Sequence, residues 1–216
     1  IQDSQSSEHH ALLFCSTPSK AFLAQLGKSL CPAQPSAASA FYIENPPSTL
    51  PADFIDKLAK QVHDVFPDFK RELISSVIFK NTLKRAPKDH YDVSADQNGS
   101  IIAWIQTEGL DNYRVYIASK NGIACEECIL MFYDCKSLKA IDFNHCFDTS
   151  RVFSMSGMFK NTPLLTDLDL SCFNTENVTN MSRMFEHCGA LSINLSSFTT
   201  SRVWDIFGMF EDCCVE

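Results

Sequence analysis

One phrase is written three times between residues 131 and 210 and begun a fourth time. Met131-Phe132, Met158-Phe159, Met184-Phe185 and Met209-Phe210 open the copies, at spacings of 27, 26 and 25 residues. Within each copy the apolar positions return in one order. The first reads Leu138, Ile141, Phe143, Phe147, Val152, Met155; the second Leu165, Leu168, Leu170, Phe173, Val178, Met181; the third Leu191, Ile193, Leu195, Phe198, Val203, Ile206. A period in the twenties is the mark of stacked coils, because one such unit cannot bury its apolar face alone. Seven of the 17 phenylalanines fall on the Met-Phe and strand-end slots of this repeat.

The second copy shows what each coil is expected to do. Leu168 and Leu170 alternate with Asp169, so the leucines face one side of a short strand and Asp169 the other. Asn174-Thr175 supplies a turn. Val178, Met181, Met184 and Phe185 then recur at three- and four-residue spacing, which predicts a short helix. The expected fold class is α/β: a leucine-rich-repeat-like solenoid of strand-plus-short-helix coils, preceded by a small helical region and a β-hairpin lead-in.

The phrases LTDLDLSCFNTENVTNMSRMFEHC (165–188) and LKAIDFNHCFDTSRVFSMSGMF (138–159) closely resemble the 26-residue repeat of the BspA-type leucine-rich-repeat family of bacterial surface proteins, abundant among Listeria and mycoplasma lipoproteins. The segment 96–130, with Ala103-Trp104, is similar to the lead-in that often precedes such repeats. The resemblance implies a curved solenoid displayed outside the cell, with adhesion or protein binding as its role and no enzymatic activity. The resemblance covers roughly 96–214, and residues 1–95 lie outside it.

Upstream of the repeats the chain divides by punctuation. Residues 1–47 read as a flexible leader rich in Ser, Gln and Ala, with one amphipathic patch at Ala21–Leu30 and a His9-His10 pair that reads as solvated rather than metal-binding. Pro46-Pro47 ends it. Residues 48–95 read as a helical region suited to capping the solenoid. One helix is expected near 51–65, with Phe54, Leu58 and Val62 on one stripe. A second is expected near 67–84, with Leu73, Ile74, Val77 and Ile78 inward. In 96–130, Ile101–Gln106 and Tyr113–Ala118 flank Gly109–Asn112 as a hairpin. Coils fill 131–216, and a start at Ile1 and a stop inside a fourth copy read as an excerpt of a longer protein.

The cysteines invite chemistry. Cys135, Cys188 and Cys213 each lie three residues after the repeat phenylalanine, with Thr162 in the matching slot, and should stack as a column. A metal or disulfide ladder is one reading; core packing is the favoured one, since Cys buries readily and the slot also accepts Thr. Cys125-Glu-Glu-Cys128 is a lone CxxC without the second ligand pair that zinc requires. No cofactor and no metal are expected. Asn177-Val-Thr and Asn180-Met-Ser match a glycosylation pattern but belong to the repeat phrase.

The sharpest binding hypothesis is a row on the strand face. Asp142, Asp169 and Asn194 occupy the outward position between inward residues of successive copies, flanked by Asn144, Ser171 and Ser196. Stacking would set them about 4.8 Å apart, as a mildly acidic strip that suits a basic segment of a partner. A solvated strand face is the plainer alternative. Net charge is −8, and residues 130–216 carry six Lys or Arg against eleven Asp or Glu, so nucleic acid is not expected. No apolar run of transmembrane length occurs. The expected function is non-catalytic binding of a protein or extracellular-matrix ligand at a cell surface or after secretion. An intracellular interaction scaffold and an enzyme using 46–95 or the CxxC are the alternatives.

Overall fold

The computed structural model describes residues 47–213; the Ala21–Leu30 patch and His9-His10 lie outside them. The described residues are a mixed α/β structure made mostly of strands, with one α-helix and three small sheets.

The order is β1 (Ser48–Thr49), α1 (Phe54–Val62), a 3-10 turn (Arg71–Leu73), β2 (Ile74–Lys80), β3 (Tyr91–Asp92), β4 (Ile102–Glu108), β5 (Asn112–Ala118), β6 (Ile123–Ala124), β7 (Ala140–Asp142), β8 (Phe147–Asp148), β9 (Asp167–Asp169) and β10 (Ser192–Asn194). A five-stranded sheet runs β3-β4-β5-β2-β7, a second runs β1-β6-β8, and β9 pairs with β10. Only β3–β4 and β4–β5 are antiparallel; the other pairings are parallel.

The helix α1 forms where its apolar stripe predicts. Phe54, Ile55, Leu58 and Val62 are buried, and Phe54 meets Phe132 of the first repeat copy edge-on at 6.1 Å. The second expected helix does not form. Ile74–Lys80 is instead strand β2, held between β5 and β7. Its Ile74, Val77 and Ile78 fit a helical spacing, but Val77 and Phe79 also alternate, and β-branched residues beside Ser75-Ser76 favour the extended form. Burial decides it: Val77 and Phe79 are fully buried, whereas Ile78 and Lys80 face the other side half-exposed. The hairpin β4–β5 turns through Gly109 at a φ of +72°.

The expected short helix of each coil is absent as well. Each copy crosses that stretch as turns that visit left-handed backbone twice. Leu130, Gly157, Arg183 and Gly208 form one column with φ between +54° and +61°; Asp134, Asn161, His187 and Asp212 form another between +53° and +61°. Two such residues four apart cannot lie in a right-handed helix. Glycine and Asn or Asp supply most of these positions, as their low cost there requires. A Cβ at position 157 would enter this backbone region and approach Leu130 Cδ2 at 2.6 Å. Gly157→Ala is therefore expected to lower stability by about 1–2 kcal/mol in urea unfolding; an unchanged midpoint would contradict the strain argument.

Successive copies are joined rung by rung. Phe132 N–H donates to Met158 O, Phe159 to Met184 O and Phe185 to Met209 O, each at 2.9 Å. The rings of Phe132, Phe159, Phe185 and Phe210 stack with centroids 5.7, 5.6 and 5.3 Å apart and planes within 8°. A second aromatic file passes from Phe79 of β2 through Phe143 and Phe147 to Phe173 and Phe198. Buried threonines clamp the edges: Thr149 Oγ1 donates to Asn174 O and accepts from Asn174 N, both at 2.9 Å. Thr175 repeats the arrangement one copy on, with Thr199. One apolar core runs from Leu50 of the N-terminal part to Cys213 of the last copy.

Candidate functional site: the outer face of the sheets

The middle residue of each repeat strand points inward. Ile141, Leu168 and Ile193 are buried, and strand alternation therefore turns Asp142, Asp169 and Asn194 outward. Asp142, Asn144, Asp169, Ser171, Asn194 and Ser196 are all exposed. Asp169 and Asn194 are register partners across β9–β10. Asp142 stands on β7, which neighbours β9 but belongs to the five-stranded sheet.

Each outward residue also caps its own strand. Asp142 Oδ1 accepts from Asn144 N at 2.9 Å, Asp169 Oδ1 from Ser171 N at 2.9 Å, and Asn194 Oδ1 from Ser196 N at 3.0 Å. These Asx turns are the local reason that Asp or Asn recurs there: a short side chain with an acceptor two residues ahead of an N–H reverses the chain. The N–H of Ser171, with its hydroxyl, holds the Asp169 carboxyl below the usual carboxylate range. Asp169 therefore keeps its charge to lower pH than an isolated Asp. Its small stabilising contribution is present above the unfolded pKa and lost as pH falls through the lower folded one.

The row extends beyond the repeat strands. Register carries it across the five-stranded sheet: Trp104 opposes Tyr116, Tyr116 opposes Ile78, and Ile78 opposes Asp142. At the far end Trp104 and Tyr116 stack at 5.0 Å, Lys80 Nζ lies 5.1 Å from the Tyr116 ring centre, and Leu83 and Ala86 pack against the small cluster of Ile102, Trp104 and Ala118. This end is covered, and the open part of the face runs from Ile78 toward Asn194. Tyr116 and Trp104 were legible only as strand residues; their place in this row follows from long-range pairing.

The cysteine column is present. Thr162 Oγ1 donates to Phe159 O at 2.7 Å and lies 3.4 Å from Cys188 Sγ, while Cys135 N, Cys188 N and Cys213 N each donate to the phenylalanine carbonyl three residues back. Burial pushes the Cys135 thiol up to about 12. Cys125 and Cys128 are fully buried, and burial with the neighbouring Cys125 pushes the Cys128 thiol well up. Such a thiol is a poor nucleophile at neutral pH. His145 and His187 share no register: His187 Nε2 lies 3.2 Å from Asp212 Oδ2, and His145 is exposed beyond β7.

Charge inside the repeat is concentrated at Glu186, 8% exposed, which receives Lys160 Nζ on both oxygens at 2.9 Å and has Arg183 and His187 at 3.6 Å. The bond links adjacent copies and satisfies a carboxylate that would otherwise be costly to bury. No group of three or more His, Cys, Asp or Glu among the described residues is arranged to hold a metal ion.

Residues 126–215, less than half of the chain, match the sequence profile of a family described as Mycoplasma protein of unknown function, DUF285. No curated protein and no solved structure matches the chain. No helix among the described residues is long and apolar enough to cross a membrane.

Proposed function

We propose that residues 131–213 form a leucine-rich-repeat-like solenoid of the BspA type, whose outer strand face binds an extended basic segment of a partner protein or matrix ligand at a cell surface. The observation that supports this reading is the exposed row Asp142, Asp169 and Asn194, with Asn144, Ser171 and Ser196 beside it, on strands whose alternate residues are locked into the core. Strands anchored in this way present side chains at fixed positions, which limits the entropy lost on binding. The stacked phenylalanines and in-register rungs support the solenoid, and the match of 126–215 to a mycoplasma family supports the bacterial setting.

The test must spare the Asx turns. Asp→Asn keeps the Oδ1 acceptor and removes the charge, whereas Asp→Lys would break the turn and confound folding with binding. Titration of a fluorescent Lys/Arg-rich extended peptide is expected to show binding that weakens with added salt. Asp142→Asn with Asp169→Asn should weaken it by about tenfold, the sum of two exposed pairs at roughly 0.7 kcal/mol each. Equal binding by the wild type and the double variant would remove this face from consideration.

A further inference from the structure

We propose that Cys188 and Cys213 form an oxidation site, a thiol pair on adjacent repeat copies that closes to a disulfide when a small-molecule disulfide serves as oxidant. Backbone register places the two residues opposite each other. Phe185 N–H donates to Met209 O at 2.9 Å and His187 N–H to Glu211 O at 2.8 Å, which makes Phe185–Phe210 and His187–Asp212 consecutive alternate rungs and Cys188–Cys213 the next pair. The rings of Phe185 and Phe210, 5.3 Å apart and 7° from parallel, confirm the alignment three residues upstream. Backbones joined side by side by such N–H to O bonds lie about 4.8 Å apart, inside the Cα separation of roughly 4.4–6.8 Å that a disulfide spans. Both side chains turn inward, 1% and 6% exposed, and the Cys213 thiol lies near enough to Cys188 to shift its titration.

The surroundings favour Cys188 as the nucleophile. The neighbouring Cys213 thiol lowers the Cys188 thiol to about 7 against the opposing effect of burial. In contrast, Cys135, one column position below Thr162, is pushed up to about 12 by burial. Cys188 is therefore the more readily ionised of these two members of the column. Reaction of the buried pair proceeds through local opening of these turns, which lie in neither a helix nor a strand.

The chemistry balances. The Cys188 thiolate attacks one sulfur of the oxidant, forms a mixed disulfide and expels one thiolate. Cys213 then loses its proton and attacks the Cys188 sulfur, expelling the second thiolate. Two cysteines are oxidised by two electrons while the oxidant is reduced to two thiols.

Incubating the full 216-residue chain with oxidised glutathione, alkylating it and mapping its peptides by mass spectrometry tests the site. The expected result is a Cys188–Cys213 cross-link as the dominant new linkage, with a higher melting temperature that reductant reverses. Cys213→Ser, which keeps a small polar group in the slot, should stop the reaction at a Cys188–glutathione mixed disulfide. Cys188→Ser should give neither product. A folded wild-type chain that shows no 188–213 link, or that joins Cys188 chiefly to another cysteine such as Cys214, overturns the proposal. So does a melting temperature that rises equally in the Cys188→Ser variant.

Discussion

Gly189→Ala is expected to destabilise the protein by about 3 kcal/mol or more, because backbone rather than a yielding side chain occupies the space. A Cβ at this position would lie 2.0 Å from Pro163 O and 2.6 Å from Pro163 C. The two residues belong to successive repeat copies, and Gly189 N–H donates to Thr162 O at 3.1 Å. Admitting the methyl requires the copies to separate there, which breaks that bond and strains the nearby Leu191 N–H to Thr166 O bond, also 3.1 Å. Proline at 163 is part of the same fit, since it brings no N–H that would need an acceptor. Gly109→Ala is the matched control. Gly109 sits at a hairpin tip with a φ of +72°, and an added methyl would meet nothing within 4 Å, so its cost is limited to about 1 kcal/mol of backbone strain. Urea unfolding of both variants measures the difference. A Gly189→Ala loss no larger than that of Gly109→Ala would show that the copies are loosely joined.

Phe159→Ala should cost about 3–5 kcal/mol. The ring is fully buried and stacked on both faces, against Phe132 at 5.7 Å and Phe185 at 5.6 Å. Its removal leaves a cavity at the middle rung of a file that the backbone ladder prevents from closing. The loss should be shared with its neighbours: a double-mutant cycle between positions 159 and 185 is expected to give a coupling of about 0.5–1.5 kcal/mol. Phe210, half-buried on the last described copy, should lose less when truncated. Equal losses at 159 and 210, with zero coupling, would mean that the stack contributes no more than area burial.

Gly189 and Phe159 differ in how far they can be read from the chain alone. Phe159 is visible in the repeat, as is the inward set Ile141, Leu168 and Ile193, because period and alternation act over a few residues. The same local reading turns Val178, Met181, Met184 and Phe185 into a helix that does not form. Spacing of three and four satisfies a helix and also satisfies a turn that passes twice through left-handed backbone. The recurring Gly157, Gly208, Asn161, Asp134 and Asp212 carry the signal that separates them. Strand β2 departs from the expected helix for a related reason: Ile74, Val77 and Ile78 fit the helical period while Val77 and Phe79 fit the strand period, and the pairing positions beside β5 and β7 select the extended one.

Periodicity, which a single chain states openly, is enough to give the repeat, its phase, the inward and outward residues of each strand, and the column shared by Cys135, Thr162, Cys188 and Cys213. Three further features needed the packed molecule. Strand β2 joins the repeat strands in one core, Trp104 and Tyr116 lie in register with Asp142, and Gly189 abuts Pro163. These depend on which distant backbones lie side by side, and the hydrogen-bond register that aligns them is a property of the stacked copies together.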